Sequence, residues 1–199
     1  EATALEAEKI APYPLFVKPA NLGSSVGISK AKNRQELIKG LEIAAKYDRR
    51  VLVERGINAR EIEVSVLGNT DPIVSTPGEI IPGDEFYSYD DKYIDGIART
   101  FVPADLSDAM TQRVQEIALQ VYQGIDCAGM ARVDFLIDKH SEEIFFSEIN
   151  TIPGFTPISM FPKLLAHGGI TYPELIDHLI ALALERKADR DKTIRSIQA

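Results

Sequence analysis

The stretch Met130 to Met160, M-A-R-V-D-F-L-I-D-K-H-S-E-E-I-F-F-S-E-I-N-T-I-P-G-F-T-P-I-S-M, constrains the fold of this chain more than any other. It reads as two strands joined by the polar turn Asp138-Lys139-His140-Ser141, the second strand running into a Pro-Gly loop. Side chains alternate along a strand, so Arg132 and Asp134 share one face while Ala131, Val133, Phe135 and Ile137 share the other. The same rule on the second strand groups Glu148 and Asn150 with Ile144 and Phe146. Three oxygen-bearing side chains and one arginine thus sit on strands that otherwise read as core. A bare buried carboxylate is costly and needs a cationic partner. Asp, Glu and Asn are hard oxygen ligands, a set that suits Mg²⁺ with phosphate supplying the remaining positions. An Arg132–Asp134–Glu148 ion-pair network on an exposed sheet face is the alternative, and both readings stand at this point.

Size and composition narrow the choice. A chain of 199 residues holds one large domain or two small lobes. The net charge is −8 with no basic stripe, which argues against nucleic acid as a partner. The single cysteine, Cys127, excludes an intramolecular disulfide and fits a reducing compartment. It lies among Ile125, Ala128 and Met130 and reads as a small core residue rather than a nucleophile. No apolar run approaches the roughly 18 residues of a membrane span, and no signal peptide is recognisable, so a cytoplasmic protein is expected. The first residues, Glu1 to Glu8, are helix-like and lack an initiating Met, from which a chain beginning partway through a longer protein is expected.

Upstream, Leu15-Phe16-Val17-Lys18-Pro19 is a short strand ending in a lysine, and Ala20-Asn21-Leu22-Gly23-Ser24-Ser25-Val26-Gly27 is a loop of small residues. Such residues let backbone N–H groups converge into a nest for phosphate oxygens, with Lys18 adding a point charge at its mouth. The loop matches neither G-x-x-x-x-G-K-[ST] nor G-x-G-x-x-G, and a plain turn is its alternative reading. Asn33 to Tyr47 is an amphipathic helix with Asn33 and Glu36 in capping-box positions and a stripe of Leu37, Ile38, Leu41, Ala44 and Ala45. Val51 to Ile57 is a buried strand with a polar end, and Glu61 to Leu67 a half-buried antiparallel one with Ile73 to Thr76 as its partner. From Pro77 to Pro103 the periodicity dissolves. Within it, residues 82–96 carry three tyrosines and Lys92, which reads as a lid over a site rather than as disorder. Ser107 to Gln123 is a second amphipathic helix. A short helix, Phe161 to His167, and a last one from Thr171, with Glu174 in capping-box position and a stripe of Leu175, Ile176, Leu179, Ile180 and Ala183, complete the chain. His140, His167 and His178 share no spacing and read as surface or cap residues.

Together, F-V-K-P-A-N-L-G-S-S-V-G-I-S-K, V-L-V-E-R-G-I-N-A-R-E-I-E-V, S-Y-D-D-K-Y, A-R-V-D-F and S-E-I-N-T-I-P-G-F-T-P-I-S-M resemble the D-alanine–D-alanine ligases, ATP-grasp enzymes of peptidoglycan precursor synthesis. The resemblance runs from about Pro14 to Lys187 in unbroken order. It implies an α+β, ATP-grasp fold of antiparallel sheets flanked by helices, with the nucleotide held between two lobes. Residues 1–54 would be part of the central lobe with the phosphate loop, and residues 55–199 the catalytic C-terminal lobe with its lid.

The family's functional residues carry over by position. Lys18 would hold the α- and β-phosphates of ATP, and Gly23, Ser24 and Ser25 of the loop up to Gly27 would cover the phosphates. Glu54, Arg55 and Ile57 would contact adenine, and Glu61 the ribose hydroxyls. Asp134, Glu148 and Asn150 would bind two Mg²⁺ ions, for which Mn²⁺ can substitute. Arg132 and the backbone at Gly154 would stabilise an oxyanion, and Ser159 and the Met160 N–H the carboxylate of the second D-alanine. Ser24 and Tyr93 would place the reacting amine, and Lys92 would reach the γ-phosphate. The family is commonly homodimeric. It also carries a further domain upstream of the region matched here, so little ligase activity is expected of this chain alone. The alternatives are a D-alanine–D-lactate ligase, disfavoured by Tyr93, another ATP-grasp carboxylate–amine ligase, and a non-catalytic nucleotide-binding module.

Overall fold

The computed structural model describes residues 2–22, 25–81, 99–156 and 158–193. The chain divides into two compact units, Glu1–Asn58 with Ile81–Arg99, and Ala59–Ile80 with Thr100–Ala199.

The first unit contains α1 (Ala2–Ala7), β1 (Leu15–Pro19), β2 (Ser29–Ala31), α2 (Arg34–Ala44) and β3 (Val51–Arg55). Its sheet has the order β2-β1-β3, with both pairings antiparallel. Alternation along β1 buries Leu15 and Val17 against Leu37 and Ala44 of α2 and against Ala4 and Ala7 of α1. Phe16 and Lys18 therefore face the other way. Asn33 caps α2 by accepting the Glu36 N–H. The Glu36 carboxylate accepts the Lys32 N–H instead of the Asn33 N–H, so the expected box is displaced by one residue.

The second unit is built on a sheet of β4 (Ala59–Gly68), β5 (Ile73–Val74), β6 (Gly78–Ile81), β7 (Arg99–Phe101), β8 (Gly129–Asp138) and β9 (Ile144–Asn150). Its order is β7-β6-β4-β8-β9, with β5 added to β4. β4 and β8 are antiparallel in ten register pairs from Ala59↔Asp138 to Gly68↔Gly129. One face carries Ile62, Val64, Val66, Ala131, Val133, Phe135 and Ile137, on which α3 (Asp108–Gly124) lays Val114, Ala118 and Tyr122. Cys127 packs at the margin of this core, where burial pushes its thiol pKa up, in keeping with a structural role. On the opposite face α4 (Met160–His167) and α5 (Tyr172–Asp191) bring Phe161, Leu165 and Leu175 onto Leu67 and Met130. The Ser65 hydroxyl donates to the Phe161 carbonyl at 3.1 Å.

Four expectations are corrected. β4 is not half-exposed: it is flanked by β6 and β8, and Glu63 and Ser65 on its polar side are buried. The stretch 77–103 is not wholly irregular, since β6 and β7 occupy its ends; the expected lid, residues 82–96, lies outside the described residues. The apolar stripe of α5 does not dock as a unit, for Leu175 is buried and Leu179 packs beside it while Ile176 and Ile180 are exposed. Fourth, Glu148 and Asn150 do not share a face with Ile144 and Phe146. Phe135 pairs with Phe146 but Asp134 with Glu148, so Ser147 is an extra residue in β9. This β-bulge switches the alternation, leaving Phe146 edge-on to Phe135 on the core side and sending Glu148 to the side of Asp134.

Among the described residues no helix is long and apolar enough to cross a membrane. The Tyr122 hydroxyl, fully buried, donates to the Gly68 carbonyl at 2.7 Å and ties α3 to the end of β4. Tyr122→Phe removes only that donor, and urea denaturation is expected to show a loss of about 1 kcal/mol with an unchanged m-value.

Candidate functional site

Along the second face of the larger sheet the β4–β8 register produces a gradient. Leu67 pairs with Met130, Ser65 with Arg132 and Glu63 with Asp134. β9 extends the last two rows, placing Asn150 beside Arg132 and Glu148 beside Asp134. The apolar row lies under α4 and α5, and the charged rows follow it.

Arg132 grips Asp134 with two hydrogen bonds, Nε to Oδ1 and Nη2 to Oδ2, both 2.7 Å. The Asn150 amide donates to Asp134 Oδ2 at 3.0 Å and to Glu148 Oε1 at 3.3 Å. Glu63 Oε2 lies 3.1 Å from Arg132 Nε. That approach is a charge contact, because the Nε–H is directed to Asp134 and Glu63 Oε2 takes no hydrogen bond. Burial works against the guanidinium charge, yet the Asp134 carboxylate, with Glu63 and Glu148 behind it, raises the Arg132 pKa above the ordinary arginine value. The ion pair foreseen as the alternative to a metal site does form. It stands on a partly closed face, the Arg132 and Asp134 side chains being 18% and 16% exposed.

The residues fit a hard divalent cation. Every donor is an oxygen, Asp134 and Glu148 are cross-strand partners, and Asn150 touches both. Among the described residues, three carboxylates against one guanidinium leave two negative charges in excess. No set of three His, Cys, Asp or Glu side chains is arranged to hold a metal ion among the described residues, so the carboxamide of Asn150 is needed as the third donor. Glu63 escaped the sequence reading. The signal was present in the alternation of Glu61-Ile62-Glu63-Val64, but it pointed to solvent until β8 was laid beside β4.

The loop after β9 adjoins this face in sequence. A Cβ on Gly154 would come within 2.8 Å of Ser159 Oγ, so a side chain there would have to displace that hydroxyl. Ser159 Oγ accepts the Thr156 N–H at 3.0 Å rather than capping α4, which leaves the first N–H groups of that helix without a side-chain cap. Gly154, Ser159 and Met160, expected to act together, are thus gathered at the start of α4.

In the first unit Lys18 and Glu54 share a sheet face and meet at 2.9 Å. Arg55 ends β3 and Ile57 follows it. Glu61, by contrast, stands on β4 of the larger sheet, in register with Leu136. The loop after β1 is anchored at both ends by the turn after α2. Asp48 accepts from the Asn21 backbone and side chain at 2.9 and 2.8 Å and from the Arg50 N–H at 3.0 Å. Gly27 has φ +76°, and a Cβ there would lie 2.7 Å from the Tyr47 ring. Ser25 has φ +59°, also left-handed. Gly23, Ser24, Lys92 and Tyr93 lie outside the described residues.

The Arg50 N–H, then the Asn21 side chain, hold the Asp48 pKa below the ordinary carboxylate value. A depressed folded pKa adds stability that is present above the unfolded value, about 3.9, and lost as pH falls through the folded one. Thermal unfolding of the parent and Asp48→Ala is therefore expected to differ by a constant amount above about pH 5 and to converge in stronger acid.

A family model described as "D-ala D-ala ligase C-terminus" matches residues 1–181. D-alanine–D-alanine ligases of Chloroherpeton thalassium and Clostridium novyi are 57% and 56% identical over 184 and 174 residues. The matches cover 92% and 87% of this chain but 50% and 51% of those proteins. The solved D-alanine–D-alanine ligase from Coxiella burnetii superposes with a TM-score of 0.80 at 42% identity, over 90% of this chain and 47% of that one. A D-Ala:D-Ser ligase from Enterococcus faecalis gives 0.81 at 38% identity, over 91% and 52%. The chain spans about half the length of the curated relatives it matches.

Proposed function

Because the chain belongs to the family of D-alanine–D-alanine ligase C-terminal regions, we propose that it carries nucleotide, cation and oxyanion groups for the ATP-driven joining of two D-alanines. Residues 1–54 would contribute part of the central lobe and residues 55–199 the catalytic lobe. The observation that carries the reading is the placement of Arg132, Asp134, Glu148 and Asn150 on one partly closed sheet face, with an excess of negative charge.

A carboxylate oxygen is a poor leaving group, so the reaction runs in two steps. The carboxylate of the first D-alanine attacks the γ-phosphorus of ATP, releasing ADP and forming D-alanyl phosphate. The amine of the second D-alanine then attacks the acyl carbon, and the tetrahedral intermediate collapses to the dipeptide and inorganic phosphate as the amine gives up its proton. Lys18 would bind the α- and β-phosphates, exchanging Glu54 for a more highly charged partner. Glu54, Arg55 and Ile57 would border the adenine, Glu61 the ribose, and Gly23, Ser24 and Ser25 the phosphates. Asp134, Glu148 and Asn150 would hold Mg²⁺, two ions in the reading favoured here, which when bound offsets phosphate charge. Arg132 and the Gly154 N–H would face the negative oxygen of the tetrahedral intermediate. Ser159 and the Met160 N–H at the start of α4 suit a carboxylate. Lys92 and Tyr93 would complete the site from the lid and exclude water from the acyl phosphate, with Ser24 helping to place the amine.

D-serine is a second acceptor to weigh, since one similar structure is that of a D-Ala:D-Ser ligase. Phosphate release with D-alanine alone, compared with D-alanine plus D-serine or D-lactate, separates these readings.

Calorimetric titration of the chain with ADP tests the nucleotide and cation assignment. Binding is expected to require Mg²⁺ and to weaken at least tenfold in Glu148→Gln, the loss of one charge-assisted contact. Binding by the folded parent that ignores Mg²⁺, or a Glu148→Gln variant that binds like the parent, contradicts the assignment.

A further inference from the structure

Glu63 has no part in the chemistry above, yet among the described residues it is the one acidic or basic side chain in the buried class, 6% exposed. β4 fixes it there, because its register partners are Asp134 on β8 and Gly78 on β6, and neither side opens it to water. A carboxylate so placed needs a positive neighbour, and among the described residues Arg132 is one, its Nε lying 3.1 Å from Glu63 Oε2.

Arg132 already has a closer partner in Asp134, which takes both its Nε–H and an Nη2–H. A divalent cation on Asp134 competes with the guanidinium for its two oxygens and weakens both hydrogen bonds. When a cation draws it away, Arg132 loses its fork-to-fork contact while remaining on a face where its side chain is 18% exposed. The Nε–H then has, among the described residues, a carboxylate oxygen within a short turn in Glu63. Asn150 offers no substitute, since its amide is turned to donate to Asp134 and Glu148, and Glu148 attracts the arginine only through space.

We propose that Glu63 is a positioning residue for Arg132, the counter-charge that keeps the guanidinium seated on this face when Asp134 is engaged by a cation. The excess of two negative charges then has a division of labour. Glu63 balances Arg132, and Asp134 with Glu148 remains as an anionic pair matched to a divalent ion. The identity of the competing ion rests on the ligase reading; the hold of Glu63 on Arg132 does not. A carboxylate that merely filled space in the sheet would alter stability when replaced, but not the solvent exchange of the Arg132 Nε–H.

That exchange is measurable by NMR on the ¹⁵N-labelled 199-residue chain, with the Arg132 signal identified by its loss in Arg132→Lys. In Asp134→Ala the Nε–H is expected to stay protected, exchanging at least about tenfold more slowly than that of the exposed Arg49, the effect of one hydrogen bond to a charged group. In Glu63→Gln/Asp134→Ala it is expected to exchange at the Arg49 rate. Addition of Mg²⁺ and ADP is expected to leave the signal protected in the parent and to expose it in Glu63→Gln. If Asp134→Ala alone exchanges like Arg49, or the double variant stays protected, the proposal is overturned. Asp134→Ser serves the same comparison should the alanine variant not fold. Absence of any response to Mg²⁺ and ADP in the parent counts against the ligase reading instead, and the Asp134→Ala comparison still decides the role of Glu63.

Discussion

The structure around the site depends on one register: β8 held between β4 and β9, with a single extra residue in β9. The ten β4–β8 pairs fix which residues of each strand face α3 and which face away. Ser147 then makes the third strand conform. Without the bulge, strict alternation would place Glu148 and Asn150 among Phe135 and Val133, where no cation could balance the carboxylate. With it, Ile144 and Ile149 pack against the core, Phe146 lies half-exposed beside Phe135 on the same side, and the polar pair meets Asp134. The concentration of charge on one face is therefore a property of backbone pairing, paid for by the apolar contact of the opposite face with α3.

The smaller unit uses the same logic at lower density. β1 buries Leu15 and Val17 and so turns Lys18 to the open face, where Glu54 on the antiparallel β3 holds its ammonium. Residues 47 and 48, where the chain leaves α2, fix the loop after β1 at its two ends, one by hydrogen bonds to Asn21 and one by the Tyr47 ring under Gly27. Both arrangements hold polar groups in place, which under the proposed nucleotide reading would lower the ordering cost of binding.

Much of this was legible in the residues. The helices follow from apolar periodicity and from caps at Asn33 and Thr171, both found at the expected position, and the structure adds Ser107 as the cap of α3. The strands of the 130–150 hairpin and its Asp138 turn follow from alternation and from a carboxylate that accepts the His140 and Ser141 N–H groups. What the sequence hid was non-local. A bulge has no local signature in Phe145-Phe146-Ser147-Glu148, because its cause is the match to β8 rather than any residue within it. The burial of Glu63 depends on two neighbouring strands, one of them the short β6 that carries no period of its own. The exposure of Ile176 and Ile180 reflects which part of the α5 surface α4 and the sheet can cover, which helical periodicity cannot state.

The central claim is that the Asp134, Glu148 and Asn150 face takes a divalent cation together with a nucleotide. Paramagnetic broadening of backbone amide signals by Mn²⁺, titrated in the presence of ADP, tests it most directly. Broadening centred on residues 134, 148 and 150, and abolished by Glu148→Gln, is the expected result. Broadening centred elsewhere, for example on the acidic end of α5 at Asp189 and Asp191, or no broadening in the folded chain, would contradict it.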